Sequence, residues 1–264
     1  MKTVLITGAA SGLGWSLSQQ AFALGYRVIM VDMDADLLVS RTDALTKKDP
    51  ARVMFRSLDV TDSNAVQALV RWVHGDDISL DLLINNAGIT HRSLAAKTHM
   101  AVFRRVMAVD WQAPVELTIG FLPLLKKSQG GIINIGSMAG WMPVLGRAGY
   151  CSAKSALGQF FEVLRGEMAR DGVHILMVYP GFLDTPIDTN ALGHDGRPAS
   201  HKRSMVGDMR TPEWMAQLVF SSYAKKKKRL FPDRFTWFAS LLWRLWPDLY
   251  QRMMQRKFAS ELNQ

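Results

Sequence analysis

The chain has 264 residues, 48% hydrophobic and 21% charged, which supplies enough apolar side chain for one large core and is too apolar for a disordered polymer. A single cysteine, Cys151, excludes an intrachain disulfide and a thiolate metal cluster, and suits a reducing, cytoplasmic compartment. The formal charge of +9 gathers between Lys225 and Lys257, where ten Lys/Arg stand against Asp233 and Asp248; this is not the distributed basicity of a nucleic-acid binder.

The opening MKTVLITGAASG passes directly into an apolar run and a glycine loop, so no signal peptide is expected. Strands are predicted over Thr3–Thr7, Arg27–Asp32, Arg52–Val60, Asp81–Asn85, Gly131–Gly136 and Val173–Tyr179. Most are apolar without a period of two, the mark of strands covered on both faces. Helical spacing recurs over Leu13–Gly25, Asp34–Thr46, Ser63–Val73, Met100–Leu125 and Ala153–Arg170. Such alternation predicts an α/β fold, a Rossmann-type doubly wound parallel sheet with helices on both faces.

After the first strand comes TGAASGLG, residues 7–14, with Gly8, Gly12 and Gly14 spaced to turn the chain tightly and bring backbone N–H groups and a helix N-terminus against a pyrophosphate. A glycine-rich turn without a ligand is the plain alternative. Asp32 ends the second strand, where a carboxylate accepts hydrogen bonds from adenosine ribose hydroxyls and repels a 2′-phosphate. NAD(H) is therefore expected over NADP(H), with Arg41 able to offset that charge.

Further on, AGYCSAKSAL places Tyr150 one helical turn before Lys154. Carbonyl reduction needs a proton delivered to the developing alkoxide, and a phenol of ordinary pKa, about 10, shuttles protons poorly near neutrality. A lysine on the same face supplies the positive charge that would activate it. Ser137 lies in GSMAG, where Ile135 replaces the first glycine of a nucleophile elbow, so a serine hydrolase is not expected. The six histidines show no ligand spacing, and no metal is expected.

Together TGAASGLG, the LDV at 58–60, NNAG at 85–88, Ser137, YCSAK at 150–154 and PG at 180–181 resemble the short-chain dehydrogenase/reductase family in order and spacing along residues 1–224. The resemblance implies a sheet of about seven strands and cofactor contacts from Gly8, Ser11, Gly12, Leu13 and Gly14. It further implies that Asp59 and Val60 flank the adenine, that Asn86, Ala87 and Gly88 line the cofactor path, and that Pro180, Gly181, Leu183 and Thr185 meet the nicotinamide end. By the same resemblance Lys154 holds the nicotinamide ribose and Ser137 donates a hydrogen bond to the substrate oxygen. The family commonly has an asparagine where this chain has Asp110 in VDW; a carboxylate there keeps the acceptor but pairs with Lys154, shifting the pH optimum or damaging the relay. Residues at the implied substrate positions, Ile89, Met138, Trp141, Met142, Val144, Phe182 and Leu183, are mostly bulky and apolar, fitting a hydrophobic alcohol or ketone or simply packing a lid. A homo-oligomer, dimer or tetramer, is implied as well.

Residues 182–210 read as a long loop of lid type, followed by Thr211-Pro212-Glu213 as the start of a helix toward Tyr223. A seventh strand is expected near Leu230–Phe231. Residues 1–230 thus form the dinucleotide-binding and catalytic domain, and 231–264 a basic aromatic extension. Within the latter, FTWFASLLWRLW at 235–246 puts Phe238, Leu241, Leu242 and Leu245 on one helical face, too short to span a bilayer. Peripheral membrane contact through 225–257, an oligomer contact, and a cover over the substrate mouth all fit this tail. A rival to the enzyme is a non-catalytic dinucleotide-binding sensor, for which Asp110 speaks.

Overall fold

The computed structural model describes residues 1–76, 78–199, 209–232 and 234–258, and among 234–236 only the backbone. Seven parallel strands form one sheet: β1 (Thr3–Thr7), β2 (Arg27–Asp32), β3 (Val53–Ser57), β4 (Leu82–Asn85), β5 (Gly131–Ile135), β6 (His174–Val178) and β7 (Arg229–Leu230). Their spatial order is β3-β2-β1-β4-β5-β6-β7, so the chain reverses its winding between β1 and β4. Ligands of doubly wound sheets bind beyond the carboxyl ends of the strands at such a switch point.

Alternate side chains of the central strands enter different cores, which is why those strands read as mostly apolar runs. Leu5, Ile29 and Leu83 point to one face, covered by α3 (Ser63–Gly75), α5 (Ala113–Ser128) and α6 (Ala148–Glu167). Val4, Ile6, Val28 and Met30 point to the other, covered by α1 (Gly12–Ala23), α2 (Ala35–Thr46) and α7 (Pro212–Ala224). Helix starts follow local chemistry: Asp34 accepts from Leu37 N–H, Asp62 from Asn64 and Ala65 N–H, and Thr211 from Trp214 N–H.

Most boundaries fall within two residues of the sequence expectation, and four larger departures stand out. The third strand is trimmed to Val53–Ser57, because Asp59 turns the chain by accepting from Thr61 N–H and Oγ1. The single helix expected over 100–125 is α4 (Met100–Met107), a π-helical turn over Ala108–Gln112 and then α5. Helix α6 begins at Ala148, well before Ala153, since Gly149 packs so closely on Phe103 and His91 that a Cβ there would lie 2.6 Å from the ring of Phe103. Finally, α8 (Arg234–Leu245) is joined at Trp246 to an unanticipated α9 (Pro247–Lys257). Of the loop 182–210, residues 200–208 lie outside the described part; the remainder is strapped to the body by Leu192 N–H to Thr90 O and Arg92 N–H to Leu192 O. Among the described residues no helix is long and apolar enough to cross a membrane.

Candidate active site

At the switch point the end of β1 and the end of β4 bind one another. Asn86 Nδ2 donates to the carbonyls of Thr7 and Gly8 at 3.0 and 3.1 Å, while Asn86 and Ala87 N–H both donate to Thr7 Oγ1. Glycine is obligatory where these segments meet. Gly8 has φ +62 and a Cβ on it would stand 2.9 Å from Ala87 Cα; one on Gly14 would stand 1.8 Å from Gly8 O. No side chain caps the N-terminus of α1, so its first N–H groups are not engaged by Ser11. This is a cradle a dinucleotide's pyrophosphate fits.

Asp32 grips the same loop. Its Oδ2 accepts Ala10 N–H at 2.9 Å and its Oδ1 accepts Asp34 N–H at 3.1 Å, while Arg41 Nε donates to Ala10 O from above the Trp15 ring. Both charges weighed in the sequence for cofactor choice therefore converge on Ala10.

Ser137 follows β5 and opens a short turn by accepting Ala139 N–H at 3.1 Å. Tyr150, in the first turn of α6, is buried, with the Ser137 side chain near enough to draw its pKa down. Lys154, one turn on, sends its ammonium to Ile135 O at 3.1 Å and to Asp110 Oδ1 at 3.5 Å. The π-helical turn inserts an extra residue into the α4–α5 helix at this point and carries Asp110 inside, with no exposed surface. There its Oδ1 also accepts Ile89 N–H at 3.0 Å, and Oδ2 is left without a hydrogen-bond partner.

Burial pushes the Asp110 carboxyl up to about 6, against the pull of Lys154 and the Ile89 N–H. Burial likewise raises the Tyr150 phenol well above its ordinary range, and the Asp110 charge raises it further; the Ser137 side chain opposes both. Gly88 sits at the joint: a Cβ on it would lie 2.9 Å from Asp110 Oδ1 and 3.4 Å from Lys154 Nζ.

A cavity of about 1060 Å³ connects these parts. It brings together Gly8, Ser11, Gly12, Leu13, Asn86, Ala87, Gly88, Ser137, Tyr150, Lys154, Pro180, Gly181, Leu183 and Thr185, with Ile89, Met138, Met142, Val144 and Phe182. Gly14, Asp32, Asp59, Val60, Asp110 and Trp141 stand outside its lining. Trp141 packs instead on Tyr179 and Phe231, beneath the Arg244 guanidinium at 4.1 Å.

A family described as short chain dehydrogenase matches residues 2–195. The chain belongs to the short-chain dehydrogenase family. Members act as oxidoreductases with a nicotinamide dinucleotide, and the glycine cradle at the switch point fits that cofactor. Among relatives, dehydrogenase/reductase SDR family member 7B of Bos taurus is 30% identical over 268 residues, covering 98% of this chain and 82% of the relative. A short-chain dehydrogenase from Streptomyces avermitilis superposes with a TM-score of 0.80 at 26% identity, covering 98% of this chain and 99% of the other. The alcohol dehydrogenase of the archaeon Thermococcus sibiricus, complexed with 5-hydroxy-NADP, shares the fold, with a TM-score of 0.75 at 21% identity, covering 87% and 95% of the two chains.

Several residues of this short-chain dehydrogenase's site escape sequence reasoning. His91 is fully buried, its Nε2 2.9 Å from Gly149 N–H and its Nδ1 3.2 Å from Ser93 Oγ, and burial lowers its pKa to about 4. Arg92 and Arg147 each approach Asp188 Oδ1 at 3.7 Å, tying the loop after Gly181 to the start of α6. From the tail, Phe238, Leu242, Tyr250, Met253 and Phe258 complete the cavity wall. Of these, only the helical spacing at 238 and 242 left a signal in the sequence.

Proposed function

We propose that the chain transfers hydride between NAD(H) and a hydrophobic alcohol or ketone, with Tyr150 as general acid and base. The observation that carries this reading is the convergence of Ser137, Tyr150 and Lys154 with the glycine cradle on one apolar cavity. When bound, the nicotinamide supplies or takes the hydride. In the reducing direction the Ser137 hydroxyl donates a hydrogen bond to the substrate oxygen, and the Tyr150 phenol gives that oxygen its proton. Lys154 faces the resulting phenolate as counter-charge; Asp110, on the same ammonium, sets how much of that charge the tyrosine feels. Met142, Val144 and Phe182 select an apolar substituent by excluding water.

Asp32 supports NAD(H) over NADP(H), since a carboxylate beyond the glycine loop disfavours a 2′-phosphate. Titrating nicotinamide fluorescence with NADH and NADPH tests this; tighter NADPH binding would assign control to Arg41. A homo-oligomer, implied by the family resemblance, is measurable by sedimentation. Tyr150→Phe should abolish turnover with nucleotide binding intact. Turnover unchanged in that variant would refute the mechanism, and no turnover of any carbonyl by the wild type would favour the sensor reading, for which the buried Asp110 is the supporting observation.

A further inference from the structure

The C-terminal helices present an unusual surface. Of the exposed large apolar side chains among the described residues, seven fall in the short stretch from Trp237 to Met253, whereas the others are scattered over the rest of the chain. Scattered apolar residues are ordinary, but a cluster of this kind marks an interaction site. Two of its members serve both surfaces: Phe238 is 59% exposed and Met253 52% exposed, and both line the cavity that holds Tyr150. The cavity therefore reaches the outside through the apolar face. Exposed Arg252, Arg256 and Lys257 lie on the same α9, with Arg256 and Lys257 also at the cavity wall.

The geometry points to docking of α8 and α9 in the plane of an anionic membrane surface, with Phe238 and Met253 framing an entrance through which a lipid-dissolved carbonyl compound passes directly from the bilayer to Tyr150. Short helices with aromatic and leucine side chains beside arginine and lysine bind such interfaces by apolar burial plus attraction to acidic headgroups. A second copy of the chain fits less well: a two-fold contact is made by the same patch on both subunits, so it would bring two sets of Arg252, Arg256 and Lys257 together. Anchoring of the helices to the body is firm enough for the purpose, since Tyr250 donates its hydroxyl hydrogen to Pro143 O at 2.8 Å and Phe258 is buried. The entrance role rests on the hydrophobic substrate proposed above; the docking itself does not.

Flotation with vesicles of phosphatidylcholine alone, or of equal parts phosphatidylcholine and phosphatidylglycerol, tests the inference on the full chain. Wild type should float with the anionic vesicles, stay behind with the neutral ones, and be released by about 0.5 M sodium chloride, which shortens the screening length to a few ångströms. L245S/W246S/L249S, at exposed positions outside the cavity lining, should lose most of this binding. It should keep turnover of a short water-soluble ketone and lose about tenfold in turnover of a long-chain ketone dissolved in the vesicles. If that variant does not fold, Arg252→Glu alone should weaken anionic-vesicle binding several-fold. Wild type remaining unbound, or the triple variant binding like wild type, overturns the docking. Loss of self-association in place of vesicle binding overturns it too and assigns the face to a second copy. Vesicle binding with no turnover of any ketone would refute the proposed reaction and leave the docking in place, so the two readings fail separately.

Discussion

Replacing Asp110 by asparagine isolates the unusual electrostatics of this site. The Lys154 ammonium lies 5.8 Å from the centre of the Tyr150 ring. At an effective dielectric constant of about 20, a positive charge there favours the phenolate by about 3 kcal/mol, or about 2 pH units. The Asp110 carboxylate, 3.5 Å from that ammonium, opposes it, and Tyr150 is held above its ordinary range by burial first and by Asp110 second. Asp110→Asn keeps an oxygen acceptor for the Ile89 N–H and removes the charge. With half of the lysine's effect released, the rising limb of kcat/KM for alcohol oxidation should move about one unit toward lower pH, an approximately tenfold gain at a fixed pH on that limb. The gain should fade below about pH 6, where the wild-type carboxyl takes up its own proton. Steady-state NADH formation from a secondary alcohol across this range provides the assay. Profiles that superimpose above neutrality, or a variant shifted to higher pH, would refute the reasoning.

Gly88→Ala should lower kcat by at least tenfold with a small change in nucleotide affinity, because the new Cβ presses on both Asp110 Oδ1 and Lys154 Nζ; overpacking of this kind costs about 1–3 kcal/mol, readable as a fall in Tm. Two buried groups should give opposite dependences of stability on pH. His91 has its folded pKa lowered from 6.5 to about 4, so its stabilisation is present above pH 6.5 and lost as pH falls toward 4, about 3 kcal/mol in all. Asp110 has its folded pKa raised from 3.8 to about 6, so its stabilisation is present below 3.8 and lost as pH rises through 6, again about 3 kcal/mol. In urea unfolding between about pH 7 and pH 4.5, His91→Gln should therefore lose about 2–3 kcal/mol less than wild type, and Asp110→Asn a similar amount more. Equal slopes for all three proteins would refute both assignments. Tyr250→Phe strands the Pro143 carbonyl and should cost about 1–1.5 kcal/mol while raising proteolytic cleavage before α9; unchanged cleavage would mean that the tail is held by its apolar contacts alone.

The sheet was legible because its central strands are covered twice: Val4 and Leu5 enter opposite cores, so β1, β2, β4 and β6 read as apolar runs and strand follows strand at the spacing of α/β units. The start of α6 at Ala148 was not legible. Its first turn, AGYCSA, includes Gly149, which packs against His91 and Phe103, and the small residues around it leave too few apolar side chains for the periodicity by which a helix is read. Tyr150 and Lys154 were visible from their spacing; the pairing of Asp110 with Lys154 was anticipated only through the family resemblance, since Asp110 lies far off in sequence and its inward aim depends on a π-helical turn that leaves no composition signal. The Arg92, Arg147 and Asp188 contacts were invisible for the same reason: only the folded loop brings residues so separated within reach.

Asp110 and Gly88 are best understood as one device. A buried carboxylate with one oxygen lacking a hydrogen-bond partner is costly, and it persists here because the Ile89 N–H and Lys154 share its other oxygen. That arrangement needs the backbone at residue 88 to pass within contact distance of both charges, which a side chain would prevent. Glycine in NNAG thus lets the acid reach the lysine, beside whatever room it leaves along the proposed cofactor path. It follows that Asp110→Asn should make the site more tolerant of Gly88→Ala. With the charge gone, the asparagine amide can shift away from the alanine methyl without breaking an ion pair, and the double variant should lose less activity than the two single effects combined. A double-mutant cycle in kcat would measure the coupling directly. Strict additivity would mean that Gly88 serves the cofactor path alone and that the acid and the glycine are independent features of the site.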